Sequence, residues 1–227
     1  MPLILHIETA TDTCSAAISN NGKLITLKET VKTRSHASLL TVFIDEILKE
    51  NKIAVADLDA VAASKGPGSY TGLRIGVATA KGLCYGAGKP LISVNTLQSM
   101  CAAFLMDKKF GDDYLYCPLI DARRMEVYFA LFDEELRFIE STAAVILDEA
   151  FLANYLKKTK IYFFGDGAEK LKPLLAHNTN AIFETDFFPS AKGMIELAER
   201  KFNSNEFEDM AYFEPFYLKD FVGVSNR

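Results

Sequence analysis

Read for its apolar period, the chain runs twice through one order of elements, and nothing else in it narrows the fold as much. In the first half, Leu3–Glu8, Ser15–Ser19 and Leu24–Glu29 have strand length and pattern. Asn20-Asn21-Gly22 separates the last two, and Asn and Gly accept the positive φ of a tight hairpin. A helix is predicted from Ser35 to Glu50, with Leu39, Leu40, Phe43, Ile44, Ile47 and Leu48 on one face. Strand Ala60–Ser64, a Gly-rich turn, helix Gly72–Tyr85, strand Pro90–Val94 and helix Leu97–Met106 follow. The second half predicts strands Leu115–Ile120, Glu126–Phe132 and Phe138–Leu147, then helix Glu149–Lys157 capped by Asp148. Strand Ile161–Phe164, helix Ala168–Leu175, strand Ala181–Glu184 and helix Ala191–Phe202, capped by Ser190, complete it.

Each half therefore reads β-β-β-α-β-α-β-α, an α/β fold in two lobes. This order resembles the ribonuclease H-like fold. Its duplication is the sugar kinase, Hsp70 and actin architecture, in which nucleotides sit between the lobes. The lobes are expected at 1–106 and 107–227, joined through the polar run Asp107–Asp113. A C-terminal tail is expected to pack back on the first lobe. Fold alone does not decide function.

Apolar residues make up 49% of the 227, enough for two cores. Twenty-five Lys and Arg against 30 Asp and Glu give −5, which argues against a stand-alone nucleic-acid binder. The four cysteines are scattered and form no CxxC or Cys/His cluster, so buried thiols in a reducing cytosol are expected and no metal site is assigned. The N-terminal residues lack a basic n-region, and the apolar stretch Leu73–Ile92 carries Arg74, Lys81 and Lys89. No membrane contact is expected, and the location is read as cytoplasmic.

The stretch Ser64-Lys65-Gly66-Pro67-Gly68-Ser69-Tyr70-Thr71-Gly72 joins a strand to a helix. A Gly-rich turn at a helix N-terminus suits an anion, but it also makes a compact ligand-free connection. The GK[ST] ending of a P-loop is missing. The helix carries Gly72, Gly76, Gly82 and Gly86, each costing about 1 kcal/mol relative to Ala. Gly72, Gly76, Thr79, Leu83 and Gly86 share one face, which lets another helix come close. That helix is either the chain's own first helix or one from a partner.

The run Gly66-Pro67-Gly68-Ser69-Tyr70-Thr71-Gly72-Leu73-Arg74-Ile75-Gly76, continuing to Lys81-Gly82-Leu83, resembles the signature of the bacterial TsaB (YeaZ) family. Ile7-Glu8-Thr9-Ala10, Ile120-Asp121-Ala122-Arg123-Arg124, Gly165-Asp166-Gly167-Ala168 and Pro215-Phe216-Tyr217-Leu218 agree with it. The resemblance implies a non-catalytic subunit that pairs with a TsaD-like catalytic subunit. With a TsaE-like ATPase and a threonylcarbamoyl-AMP synthase, the pair modifies the adenosine beside the anticodon of certain tRNAs. It further implies that tRNA is met only through the complex. The two helices 35–50 and 72–85 would form the partner surface through His36, Leu40, Ile44, Gly72, Gly76, Thr79 and Leu83, and would support a homodimer when the partner is absent. TsaD-like chains carry two metal-binding histidines in a Val-Asn-His-x-x-x-His pattern. Here Thr96 and Met100 stand in those places, and neither suits that chemistry.

Thr9 and Thr11 occupy the position of a phosphate turn without its glycine, and Gly165 and Gly167 the position of an adenosine contact. All four are weak nucleotide candidates. ATP or ADP is expected only at a site that a partner completes. Asp121 is expected in an ion pair with Arg123 or Arg124. No catalytic residue is assigned. The competing hypothesis is an autonomous small-molecule kinase or ATPase of the same fold, which needs a working phosphate turn and a catalytic carboxylate.

Overall fold

The computed structural model describes residues 2–31, 36–106 and 114–219. The proposed linker Asp107–Asp113 and the helix start at Ser35 lie outside the described residues. Strands β1 (Leu3–Glu8), β2 (Cys14–Asn20), β3 (Lys23–Thr30), β4 (Ala60–Gly66) and β5 (Leu91–Asn95) form one sheet, in the order β3-β2-β1-β4-β5. The first three are antiparallel; β1, β4 and β5 run parallel. The second sheet holds β6 (Tyr114–Asp121), β7 (Glu126–Phe132), β8 (Phe138–Ile146), β9 (Lys160–Phe164) and β10 (Ala181–Glu184), in the order β10-β9-β6-β7-β8. Read from β8, this is the first sheet's plan again.

The hairpin forms as its residues dictate. Asn20 pairs with Lys23, and Asn21 and Gly22 take φ of 50° and 68° between them. The helices are α1 (His36–Glu50), α2 (Tyr70–Ala87), α3 (Thr96–Met106), α4 (Ala153–Leu156), α5 (Ala168–Leu175) and α6 (Ile195–Asn203). Ser69 caps α2, its hydroxyl accepting from Gly72 N–H at 3.3 Å, and Gly88 ends that helix in the left-handed region.

The layers follow from which residues are apolar on which side. Leu5, Ile7, Val61 and Ala63 bury the outer face of the first sheet under α1 and α2. Ile4, Ala62, Ile92 and Val94 face inward, onto α3 and α6, which also receive Tyr116, Ile120 and Phe132 from the second sheet. Helix α3 is buried nearly all round because sheets flank it on both sides. Outside the second sheet, Phe129, Leu131, Ile161 and Phe163 pack under α4 and α5. Each such side chain contributes about 1.5–3 kcal/mol.

Two expectations need correction. The helix expected over Glu149–Lys157 is only the single turn α4: Asp148 Oδ1 accepts from Ala150 N–H at 2.9 Å and closes a turn instead of capping a helix. The helix expected over Ala191–Phe202 begins as a 3-10 segment, Ala191–Met194, with Ser190 at its cap, and becomes α6 at Ile195. It packs against the first lobe: Ser15 Oγ accepts from Ala191 N–H at 3.0 Å, and Ser190 Oγ donates to Glu29 at 2.6 Å. The segment after α6 also returns to the first lobe, where Phe216 N–H donates to Lys65 O at 2.6 Å and Lys81 Nζ to Phe213 O at 2.8 Å.

Candidate functional site

The turns that follow β1, β4, β6 and β9 converge on a cleft between the lobes, of about 700 Å³. Ala10–Asp12 and Pro67–Thr71 line one wall. Ile120–Arg124, Glu126, Tyr128 and Asp166 line the other, and Phe216–Lys219 run along it. The volume suits a small ligand.

Strand β1 ends in Glu8, fully buried. Its Oε1 accepts from Ala10 N–H at 2.7 Å and from the Ser64 hydroxyl at 2.9 Å. Its Oε2 is buried without a partner among the described residues. Burial pushes the carboxyl from 4.5 up to about 7, although those hydrogen bonds pull the other way.

The phosphate-turn candidates are engaged within the chain. Thr9 Oγ1 donates to Gly72 O at 2.8 Å, and Thr11 Oγ1 accepts from Thr13 N–H at 3.3 Å. Ala10 O accepts from Ser69 N–H at 2.6 Å. The N–H groups of Ala10, Thr13, Ser69 and Gly72 in the two turns thus already have acceptors within the chain.

Gly72 and Gly76 explain themselves here. A Cβ at Gly72 would collide with Thr9 O, and one at Gly76 with Thr9 Oγ1. The close approach that their missing side chains allow is to the chain's own β1 turn, so these two glycines do not face a partner. Leu40 and Ile44 are also core residues, under the first sheet. His36 is buried, its Nε2 2.6 Å from Thr11 O, so it holds the same turn. Thr79 and Leu83 are half-buried. The two later glycines of α2 are open: Cβ atoms at Gly82 or Gly86 would meet nothing within 4 Å.

On the other wall, Gly165 and Gly167 are packing residues. Gly165 has φ of 99°, and Gly167 N–H donates to Leu119 O at 3.1 Å. A Cβ at Gly165 would strike Leu119 O, and one at Gly167 would sit 3.0 Å from Leu119 Cβ. Asp166 between them accepts from Asp121 N–H at 2.9 Å, and burial raises its carboxyl. Asp121 pairs with Lys170 at 2.6 Å, not with Arg123 or Arg124 as expected. The same Oδ1 accepts from the Arg123 N–H of its own turn at 2.6 Å.

Thr96 and Met100 are fully buried at the start of α3. Thr96 Oγ1 accepts from Gly66 N–H at 3.1 Å, and Met100 belongs to the core between the sheets. Among the described residues no three His, Cys, Asp or Glu side chains come together to hold a metal. No helix among them is long and apolar enough to cross a membrane. All four cysteines are buried and free. Sequence reasoning missed the hub role of Glu8, whose signal was a carboxylate ending an otherwise apolar strand. It also missed the strain at Arg123 and Arg124, which take φ of 70° and 50°. Arginine gives no local sign of that conformation.

The TsaD family, described as tRNA N6-adenosine threonylcarbamoyltransferase, matches residues 29–222. The tRNA threonylcarbamoyladenosine biosynthesis protein TsaB of Escherichia coli (strain K12) is 30% identical over 224 residues, covering 96% of this chain and 95% of its own. The protein of the same name from Haemophilus influenzae is 29% identical over 230 residues, covering 96% and 94%. The solved structure of YeaZ from Pseudomonas aeruginosa is 23% identical, covers 96% of this chain and 100% of that one, and has a TM-score of 0.82, a likeness of fold. With the signature at Gly66–Gly76, these matches place the chain: it belongs to the TsaB (YeaZ) family.

Proposed function

We propose that the chain works in tRNA threonylcarbamoyladenosine biosynthesis as a non-catalytic subunit, pairing with a TsaD-like catalytic chain that carries out the transfer. A TsaE-like ATPase completes the assembly. The observation that carries this reading is the fate of the would-be catalytic positions. Thr96 and Met100 are engaged within the chain, and the Ala10 and Thr13 N–H groups of the turn after β1 have internal acceptors. A chain built this way contributes surface, not chemistry.

The surface is the outer side of α1 and α2, redrawn from the sequence-based expectation. Arg74, Ala78, Gly82 and Tyr85 form its exposed stripe, with Tyr85 at 83% exposure and Val42 of α1 at 46%. Thr79 and Leu83 border it. A second copy can use the same stripe when the partner is absent.

The test is reconstitution of threonylcarbamoyl transfer to a tRNA transcript. The expected outcome is background transfer and background ATP turnover by this chain alone, with transfer at least tenfold faster when it is added to the TsaD-like and TsaE-like proteins. Robust turnover by the chain alone contradicts the reading.

A further inference from the structure

The stretch of chain after α6 is built unlike the rest of the molecule. Helix α6 stops sharply: Asn205 takes a left-handed φ of 56°, and Glu206 N–H donates to Lys201 O at 2.9 Å. From Phe207 to Lys219 the backbone joins no helix or sheet and makes one isolated bridge, Glu208 with Leu91. Phe207, Tyr212 and Phe216 are exposed, Tyr212 at 84%. Met210 and Phe213 are half-buried against the core of the first lobe. So little burial and so few backbone bonds place this segment at the low-stability end of the fold.

What it covers is nevertheless specific. At the β5 edge of the first sheet, Glu208 N–H donates to Leu91 O at 2.9 Å, and the Glu208 carboxylate accepts from the Ser93 hydroxyl. Beside α2, Lys81 Nζ donates to Phe213 O at 2.8 Å. At the end of β4, Phe216 N–H donates to Lys65 O at 2.6 Å. Gly66 has φ of 110°, and a Cβ there would come within 2.7 Å of Phe216 O, so glycine is what lets the segment lie down at this point. The Tyr217 ring then meets Tyr70 at 4.7 Å, and Lys219 crosses to Glu126 on the second lobe. Phe216–Lys219 thus line the cleft and touch both of its walls.

We propose that residues 207–219 are a hinged strap that closes the mouth of the cleft and lifts as a unit while both lobes stay folded. Asn205 marks the hinge, Gly66 the seat, and the Lys219–Glu126 pair the clasp. The clasp is partly exposed, so it is weak and screened by salt. Lifting the strap uncovers Gly66, Tyr70 and the β5 edge together. The cleft therefore has a closed form, with the strap seated, and an open form through which a small molecule enters or leaves. This holds whether or not the chain works as a subunit.

Hydrogen exchange of the full-length chain reads the opening at the Phe216 amide, with the amide of Val77, buried in α2, as reference. Exchange at Phe216 should be about tenfold or more slower than in an unstructured peptide and about a hundredfold or more faster than at Val77. It should also be unchanged by denaturant below the unfolding transition, because a local opening exposes little surface. Lys81→Ala/Lys219→Ala removes two ties and leaves every covering side chain in place; Phe216 should then exchange about tenfold faster, with Val77 unchanged. Gly66→Ala should act in the same direction, and if it unfolds the chain the double lysine variant decides. The chain has no tryptophan, so Tyr70→Trp puts a single reporter beneath the strap. Acrylamide quenching of that indole should roughly double when the two lysines are replaced. Exchange at Phe216 as slow as at Val77, with the same denaturant dependence, overturns the proposal, since the segment would then open only on unfolding. Exchange at the peptide rate in wild type overturns it too, because the strap would have no seat. Faster exchange with unchanged quenching also overturns it, because the segment would not cover the cleft.

Discussion

The two lobes share a sheet plan and part company outside it. On the first, α1 and α2 are 15 and 18 residues long; on the second, α4 and α5 are 4 and 8. The outer face of the first sheet is aliphatic and small, with Leu5, Ile7, Val61 and Ala63, and long helices lie flat on it. The second is covered by rings. Phe129 meets Phe151 edge-on at 5.1 Å, and Phe163 stacks on Phe183 at 5.4 Å. Aromatic side chains fill there the space that helices fill on the first lobe. The core between the sheets holds both lobes to one topology, while the outer layers are free to differ. The longer pair of helices leaves an exposed stripe beyond what covering the sheet requires, and that is why the partner surface is assigned to the first lobe.

Within α2 the same contrast recurs between its two faces, one buried and one exposed, and it can be broken by mutation. Gly76→Trp puts an indole where Thr9 sits, so the account predicts a loss of more than about 4 kcal/mol, enough to unfold the first lobe. Denaturant titration reads it; a folded variant of near-native stability would show that the helix can move away from the β1 turn.

The smaller effect concerns the turn itself. Because the folded state raises Glu8 from 4.5 to about 7, its contribution is fully present below pH 4.5 and is lost as pH rises to 7. The swing is on the order of 3 kcal/mol. His6, lowered by burial from 6.5 to about 3, acts oppositely, losing stability as pH falls through that range. The measurement is therefore the difference between wild type and Glu8→Gln by denaturation from pH 4.5 to 8. The variant should gain relative stability as pH rises, and a flat difference would mean that Glu8 titrates normally.

Much of this was legible in the sequence, for physical reasons. Leu3–Glu8, Glu126–Phe132 and Ala181–Glu184 match their predicted strands residue for residue, because pattern and flanking turn residues agree there. The order of elements in both lobes was readable too. The short α4 was not, since Asp148, Glu149 and Leu152 satisfy a helix start as well as a turn. The glycine face of α2 was visible as a face. Its direction was not, because a helical wheel places residues on a side without saying what the side meets. Nothing local tells that Thr9, 63 residues before Gly72 in the chain, fills it.

The central claim is that the face of α2 bearing Gly72 and Gly76 is internal and the face bearing Ala78, Gly82 and Tyr85 is an open partner surface. Gly82→Trp tests it most directly, measured as affinity for the TsaD-like protein by calorimetry alongside the melting temperature. A Cβ at Gly82 meets nothing within 4 Å, and leaving glycine favours the helix, so the isolated variant should melt no lower than wild type. The account predicts at least a hundredfold weaker binding, as the indole holds the partner off the stripe. A variant that folds and binds with unchanged affinity would contradict it and move the partner surface elsewhere.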